Sequence, residues 1–350
     1  MSIDIAIIAD DLTGALDTST PFVLAGRHVA AAVHPDSLAE AARSGAPVVV
    51  VNTASRALPP AEAARIVGEV AGILAGLRPQ VVFKKIDSRL KGNVRAEVEA
   101  LAVGLGFARI VVAPAIPDQD RPTVGGAVTG RGLDAPLPIS PLFAGGHTPV
   151  LVADASSDAD LDRIVAAEDW SHTLAVGARG LGAAFARRYG PLKPRPALPL
   201  ARTLIGIGSR DPITERQIGV LLQANTNLTV IDAPLGATDE LTRGLPALIR
   251  ATGAFAGPDA AISARLAAAV ARNVEALAPE AMLLSGGDTA LAVLDRLGCR
   301  VVFPQGEAAP GLPWFTVETA GGQTIRCIVK SGGFGGEDVL ARLVPAAATV

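Results

Sequence analysis

Ile3-Asp4-Ile5-Ala6-Ile7-Ile8-Ala9-Asp10-Asp11-Leu12-Thr13-Gly14-Ala15 opens on a short apolar run and closes on two adjacent carboxylates followed by a helix-like start. The β-branched run from Ile5 to Ala9 reads as a buried strand of a parallel sheet. Thr13-Gly14-Ala15 then begins a helical pattern that extends to about Ala25. In open α/β sheets, ligands bind beyond the carboxyl ends of the strands, where Asp10 and Asp11 fall. Neighbouring carboxylates repel each other unless a cation or a donor stands between them. Two readings follow. In one, Asp10 ends the strand and Asp11 caps the helix. In the other, the pair serves a polar site as a magnesium ligand, a base or an acceptor for sugar hydroxyls.

The same alternation continues outward. Strands are expected over 29–33, 47–52, 81–83 and 110–113, with helices over 38–43, 60–77 and 92–103. This βαβ repetition implies a mainly parallel sheet with helices on both faces. Residues 116–149 are dense in Pro and Gly, and no helix is expected there. Strands at 150–153 and 173–176 and helices at 158–167 and 180–188 complete the first half. Residues 191–199 hold four prolines and read as a linker. A second α/β pattern begins at Thr203, with strands at 204–207, 228–231, 281–284, 299–303 and 324–329. Its helices are expected from Asp211-Pro212 to Gln223, over 259–277, from Thr289 to Leu297, and after Gly336. At 350 residues the chain exceeds the usual single core. The expectation is α/β: two three-layer α/β domains with mainly parallel sheets, spanning 1–200 and 201–350.

Composition narrows the function classes. Apolar residues make up 49% of the chain, enough for a sizeable core, whereas aromatics are 3%. Base stacking on aromatic platforms is therefore disfavoured. A net charge of -3 gives no electrostatic reason to bind nucleic acid or an anionic membrane. Cys299 and Cys327 have no metal-ligand spacing; two buried thiols are expected, with a disulfide pair as the alternative. No leader pattern and no membrane-length apolar run is read, so the cytoplasm is the expected location.

Two kinds of site are legible. Gly208-Ser209, Ser285-Gly286-Gly287-Asp288-Thr289 and Ser331-Gly332-Gly333-Phe334-Gly335-Gly336 each follow a strand and open a helix. Backbone amides at such turns bind phosphate. No Walker A loop is present, and no dinucleotide fingerprint follows the first strand. The first half instead gathers charge. Lys84, Lys85, Asp87, Ser88, Arg89, Lys91 and Asn93 crowd one strand end, with Arg56, Arg121 and Thr123 after others. Arg and Lys suit a carboxylate or phosphate; Asp, Ser and Asn suit sugar hydroxyls. The four histidines show no ligand spacing, and no metal set is readable. A Gly-x-Ser-x-Gly elbow is absent, which removes support for a hydrolase triad.

At these residues the chain resembles the four-carbon acid sugar kinase family, which contains threonate, erythronate and 3-oxo-tetronate kinases. The matching pieces of the first half are Ala9-Asp10-Asp11-Leu12-Thr13-Gly14-Ala15, Asn52-Thr53-x-Ser55-Arg56, the run from Lys84 to Asn93, and Arg121-x-Thr123-Val124-x-Gly126. In the second half they are Gly208-Ser209, Gly286-Gly287-Asp288-Thr289, Pro310-Gly311-Leu312-Pro313-Trp314 and Lys330-Ser331-Gly332-Gly333-Phe334-Gly335-Gly336. The resemblance implies an ATP-dependent kinase using Mg2+, with an acid-sugar domain followed by a nucleotide domain. It implies a small acid sugar and ATP as partners, with homo-oligomerisation left open. Catalytic candidates are Asp10, Asp11 and Asp87. Substrate candidates are Arg56, Lys84, Lys85, Ser88, Arg89, Asn93, Arg121 and Thr123. Nucleotide candidates are Ser209, Gly286, Gly287, Asp288, Thr289, Gly332, Gly333 and Gly335. Two departures stand out: residues 132–149 are short and Pro/Gly-rich, and Asp211 occupies a position where the family often has Ser. A sensor that binds both ligands without turnover is the competing expectation; a dehydrogenase is disfavoured by the missing fingerprint.

Overall fold

The computed structural model describes residues 2–193, 200–254, 260–319 and 321–344. Residues 194–199 of the expected linker lie outside the described residues, as does Asp259 at the expected start of a helix. The chain divides into two compact units, Met1–Lys193 and Pro194–Val350.

In the first unit the chain runs β1 (Ile5–Ala9), α1 (Leu12–Leu24), β2 (Val29–Ala32), α2 (Leu38–Arg43), β3 (Val48–Asn52), α3 (Pro60–Leu77), β4 (Val81–Lys85), α4 (Val94–Leu105) and β5 (Arg109–Ala113). Three two-residue strands follow: β6 (Thr123–Val124), β7 (Ala127–Val128) and β8 (Leu137–Pro138). Then come β9 (Val150–Val152), α5 (Asp158–Ala167), β10 (Thr173–Gly177) and α6 (Arg179–Arg187). The main strands pair in parallel in the order β2-β3-β1-β4-β10-β5-β9. Every residue of β1 and β3 is buried. That requires cover on both faces, as for parallel sheets generally. It comes from α1 packed on α6, with α5 beside it, and from α3 packed on α4.

The path of the chain fixes where a ligand can sit. From β1 the chain goes to β2, fills in β3 between them, and then crosses to β4 on the other side of β1. Connections diverge at the β1/β4 junction, and such switch points open a crevice at the strand ends. The register there sets Ala9 opposite Lys85 on one side and Asn52 on the other. Asp10 and Asp11 therefore emerge beside the residues that follow β3 and β4.

The second unit runs β11 (Thr203–Ile207), α7 (Pro212–Ala224), β12 (Thr229–Pro234), β13 (Ala247–Thr252), α8 (Ala260–Leu277), β14 (Ala281–Ser285) and α9 (Gly287–Arg296). It ends with β15 (Val301–Val302), β16 (Pro304–Ala309), β17 (Leu312–Glu318), β18 (Thr324–Lys330) and α10 (Val339–Leu343). Its sheet has the order β12-β13-β11-β14-β18-β17-β16. Pairing is parallel from β12 to β18 and antiparallel for β17 and β16. Ile205, Ile207, Leu248, Leu283 and Ile328 from the sheet share one core with Ile218 and Leu221 of α7 and Leu340 of α10. The path from β11 through β14 repeats that from β1 through β4, so a second switch point lies between β11 and β14.

Both units are thus α/β with mainly parallel sheets. Three strands of the second unit were not expected from sequence: β13, β16 and β17. In the first unit, residues 116–149 contain no α-helix, but they are less irregular than expected. They hold two 3₁₀ turns, Pro117–Gln119 and Ser140–Phe143, and a small antiparallel β6-β7-β8 sheet.

Gly180 shows how closely α6 approaches the sheet side. A Cβ there would lie 2.3 Å from the Ala115 carbonyl oxygen and 3.0 Å from Leu161 Cδ1. Gly→Ala inside a helix normally gains about 1 kcal/mol. Against backbone, overpacking costs about 1–3 kcal/mol and wins. Gly180→Ala is expected to lower the urea midpoint of the first unit's unfolding without changing its slope; a raised midpoint would contradict this packing.

Candidate functional site

The first cluster is built at the β1/β4 junction. Asp11 caps α1: its Oδ1 accepts from the Gly14 N–H at 2.9 Å and its Oδ2 from the Thr13 hydroxyl at 2.6 Å. Asp10 is 3% exposed and has no helix to cap. Arg56, after β3, lies between the two carboxylates. Its Nε donates to Asp10 Oδ2 at 2.8 Å and its Nη2 to Asp10 Oδ1 at 2.8 Å. Its Nη1 donates to Asp11 Oδ2 at 2.8 Å and its Nη2 to Asp11 Oδ1 at 3.0 Å. The cap reading therefore holds for Asp11, and the Arg56 guanidinium is the cation that separates the two carboxylates. Burial alone would raise the Asp10 pKa; Arg56, helped by Lys84 and Lys85, more than offsets this and holds the carboxyl below its ordinary value. Burial would likewise lower the Arg56 pKa, and Asp11 and Asp10 reverse it upward.

This geometry bears on the expectation that Arg56 grips a substrate carboxylate. A guanidinium has five N–H donors. Four hydrogen bonds already run to the aspartates, leaving one N–H on Nη1 for anything else. Gly92 closes over the pair in a left-handed conformation, φ +86°, and a Cβ there would stand 3.0 Å from Asp10 Oδ2.

Lys84 and Lys85 separate because successive strand residues point to opposite faces. Lys84 is fully buried. Its Nζ pairs with Glu97 Oε2 at 2.7 Å and donates to the Lys85 carbonyl at 2.9 Å. It does not reach the rim where a substrate contact was expected. Glu97 Oε1 accepts from Ser55 Oγ at 2.5 Å, and Ser55 meets Thr53 Oγ1 at 2.7 Å. This buried chain locks the segment that carries Arg56. Lys85 turns the other way, toward the start of α1. Its Nζ donates to the Ile86 carbonyl at 2.9 Å and would stand 3.0 Å from a Cβ on Gly14.

The remaining candidates divide. Asp87, half-buried, accepts from the Arg89 N–H at 2.8 Å through Oδ1. Ser88 Oγ accepts from Arg121 Nη1 at 2.8 Å, and Arg121 also donates to the Arg131 carbonyl at 2.8 Å. Burial, with Arg89 and Arg131 nearby, lowers the Arg121 pKa. Arg89 is exposed. The Asn93 amide is engaged by the Ser55 and Leu58 carbonyls at 3.0 and 2.8 Å. Thr123 is fully buried, and its hydroxyl has no partner among the described residues. Asp10, Asp11, Arg56 and Lys85 are thus brought together, with Asp87, Ser88 and Arg121 forming a second group after β4. Glu97 was missed by sequence reasoning. The available signal was a glutamate on the apolar stripe Val94, Val98, Leu101 of α4, all buried.

The second cluster is built from backbone at the β11/β14 junction and the end of β18. The Gly208 and Ser209 N–H groups donate to the Ser285 carbonyl, and the Gly286 N–H to the Lys330 carbonyl. A Cβ on Gly208 would lie 2.0 Å from Thr289 Oγ1, and one on Gly332 would lie 2.3 Å from Ser209 Oγ. Gly286 has φ +105° and Gly335 φ +87°. Gly287, exposed Asp288 and buried Thr289 form the first turn of α9. Ser285 Oγ is buried with no partner among the described residues. Asp211, the departure noted above, caps α7 by accepting from the Ile213 N–H at 2.9 Å, and its Oδ2 would be 3.4 Å from a Cβ on Gly333. A cleft of about 500 Å³ opens here, lined by Ser209, Arg210, Pro212, Glu215, Arg250 and Thr252, among others. Glycines at close approach and amide-lined turns suit the phosphates of a nucleotide. Among the described residues, no group of three or more His, Cys, Asp or Glu is placed to hold a metal ion. No described helix is long and apolar enough to cross a membrane.

Comparisons with known proteins find one family match within each unit. Residues 5–142 match a model described as a sugar-binding N-terminal domain, and residues 204–340 one described as a nucleotide-binding C-terminal domain. The chain is 31% identical to a D-threonate kinase of Bordetella bronchiseptica, over 98% of this chain and 97% of that one. It is 26% identical to a 3-oxo-tetronate kinase of Methylobacterium radiotolerans, over 98% and 99%. A crystal structure from Salmonella typhimurium LT2, described as a candidate tRNA synthase, aligns with TM-score 0.72 at 20% identity over 97% of this chain and 98% of that one. At that identity the likeness speaks for the fold alone.

The Lys84–Glu97 pair gives a stability prediction. Removing one partner of a buried ion pair leaves an uncompensated charge and costs about 3–5 kcal/mol. Lys84→Met is expected to destabilise the first unit by that amount in chemical denaturation. A loss under about 1 kcal/mol, the range of exposed pairs, would show that the pair is not buried as described.

Proposed function

Because the chain belongs to the four-carbon acid sugar kinase family, we propose that it is an ATP-dependent kinase acting on the terminal hydroxyl of a four-carbon acid sugar. Threonate, erythronate and 3-oxo-tetronate are the candidate acceptors, and the product is the 4-phosphate. In this reading residues 1–200 hold the sugar and 201–350 the nucleotide. The observation that carries it is the Asp10–Asp11 pair held by Arg56 at the first switch point, in a chain whose second switch point is lined by glycine turns.

Catalysis of phosphoryl transfer is mostly positioning and charge stabilisation. Magnesium bound with ATP would supply part of that charge. The protein supplies the rest. An ionised carboxylate has about four lone-pair sites. Asp11 accepts four hydrogen bonds, from Gly14, Thr13 and twice from Arg56. Asp10 accepts two on its side chain, both from Arg56. Asp10 therefore keeps capacity for the acceptor hydroxyl, and Asp11 serves to orient Arg56 and α1. A low Asp10 pKa suits a group that orients the hydroxyl and takes its proton late, as a loose transition state allows. Lys85 and Arg121 are the cations left to meet the substrate carboxylate, with the last N–H of Arg56. Asp87, whose Oδ1 is engaged by backbone, is the alternative base.

The test is ADP release by the purified chain with Mg-ATP and a panel of tetronates. Turnover is expected with at least one acid and not with the neutral alcohol. Asp10→Asn is expected to fold, bind ATP and lose about a hundredfold or more in turnover, within the usual range for general-base help. Asp11→Asn should lose less. Near-normal turnover by Asp10→Asn would shift the base to Asp87. Binding of both ligands without turnover by the wild type would leave a sensor instead of a kinase.

A further inference from the structure

The 331–336 turn after β18 is held by three buried side chains, Lys330, Thr214 and Gln217. Lys330 is fully buried, and its Nζ donates to the Ser331 carbonyl at 3.0 Å, the Gly332 carbonyl at 3.0 Å and Thr214 Oγ1 at 3.1 Å. An ammonium has three N–H donors, so all of them are engaged. The Thr214 hydroxyl, itself an acceptor for Lys330, donates to the Gly332 carbonyl at 2.8 Å. Gln217, fully buried on α7, directs Nε2 at the Phe334, Gly335 and Gly336 carbonyls at 3.0, 3.2 and 2.9 Å. The amide NH2 of Gln217 has two N–H donors, which it shares among the three carbonyls. The Phe334 N–H is taken by the Ser331 carbonyl. The Gly332 and Gly333 N–H groups have no acceptor among the described residues.

With five of its six carbonyls held by these side chains, the turn has N–H groups to offer, and concavities lined by N–H groups bind anions. We propose that Gln217, Thr214 and Lys330 are positioning residues for the nucleotide: they hold the carbonyls of the 331–336 turn inward, so that the Gly332 and Gly333 amides face a phosphate. This rests on the nucleotide reading of the second unit. It gives Lys330 a role unlike that of a phosphate-loop lysine, which reaches the phosphates with its own ammonium. Here the lysine works through the backbone. Gln217 and Thr214, four and one residues from the Asp211–Pro212–Ile213 helix start, extend the site along α7 beyond the residues that could touch ATP.

The Thr214 pair of variants separates positioning from mere stability. Thr214→Ser keeps the hydroxyl, and Thr214→Val keeps the shape without it. Titration calorimetry with Mg-ATP is expected to give wild-type affinity for Thr214→Ser and about a tenfold loss for Thr214→Val, the scale of one hydrogen bond. Acid-sugar affinity should not move in either. Gln217→Glu, which replaces the donor with acceptors, should lose ATP affinity by a larger factor. Equal ATP affinity in Thr214→Val and Thr214→Ser overturns the proposal, as does a loss shared by the acid sugar. Failure of the wild type to bind ATP would overturn the nucleotide reading itself, and is seen before any variant is made.

Discussion

One guanidinium between two adjacent carboxylates organises the first unit. Asp10 and Asp11 follow a strand whose every residue is buried, so their negative charges cannot be relieved by water alone. Like charges about 4 Å apart repel by about 4 kcal/mol at an effective dielectric near 20. Arg56 reverses that sign for both. To deliver it, the chain must bring the segment after β3 across the end of β1. The Ser55 and Arg56 N–H groups do this by donating to the Asp10 carbonyl. Beneath them, Glu97 and Lys84 fasten Ser55 to α4 and β4. Helix cap, strand register and buried ion pair converge on one residue.

The second unit meets an equivalent demand with different means. Its β11–β14 region follows the same path as β1–β4, and its glycine turns lie at the corresponding strand ends. Where the first unit presents side-chain charge, the second presents backbone. Gly208 and Gly332 stand so near Thr289 and Ser209 that neither could carry a Cβ without movement. Negative charge from Asp211 persists at the edge, moderated by its cap on Ile213 and by nearby Lys330. Burial pushes the Lys330 ammonium down to about 8, with Asp211 opposing the shift.

Much of this is legible in the amino-acid sequence. The apolar runs ending in polar clusters gave β1, β3, β4, β11, β14 and β18, because buried parallel strands leave a continuous hydrophobic signature. The same rule explains the misses. β13 carries Arg250 in its middle, half-buried and paired with Asp232. β16 reads Pro-Gln-Gly-Glu-Ala-Ala, which is turn composition, and its pairing with β17 is interrupted by register shifts. Both are held by sheet context that no local pattern announces. Around the β1/β4 junction, residue types announced a charged cluster but not the direction of each side chain. Nothing in Lys84-Lys85 says which lysine faces the core until the strand register is known. Asn93, a substrate candidate by sequence, fastens the 55–58 backbone through its Nδ2. Glu97 and Gln217 lie outside the strand-end motifs and act through loops distant in sequence.

The layering of the first unit has a consequence for how such enzymes diversify. Lys84, Glu97, Ser55 and Asp10 form a buried stem, whereas Arg89 and Lys91 stand exposed after it, with Arg121 and Arg131 beside them. Surface substitutions away from a buried network usually change stability by less than about 0.5 kcal/mol. The outer arginines and lysine can therefore be exchanged one at a time without disturbing the stem that holds the carboxylates. Variation can work on the outer layer while the inner one is inherited whole, so that a lineage can change its rim by single steps, each of them still a folded protein.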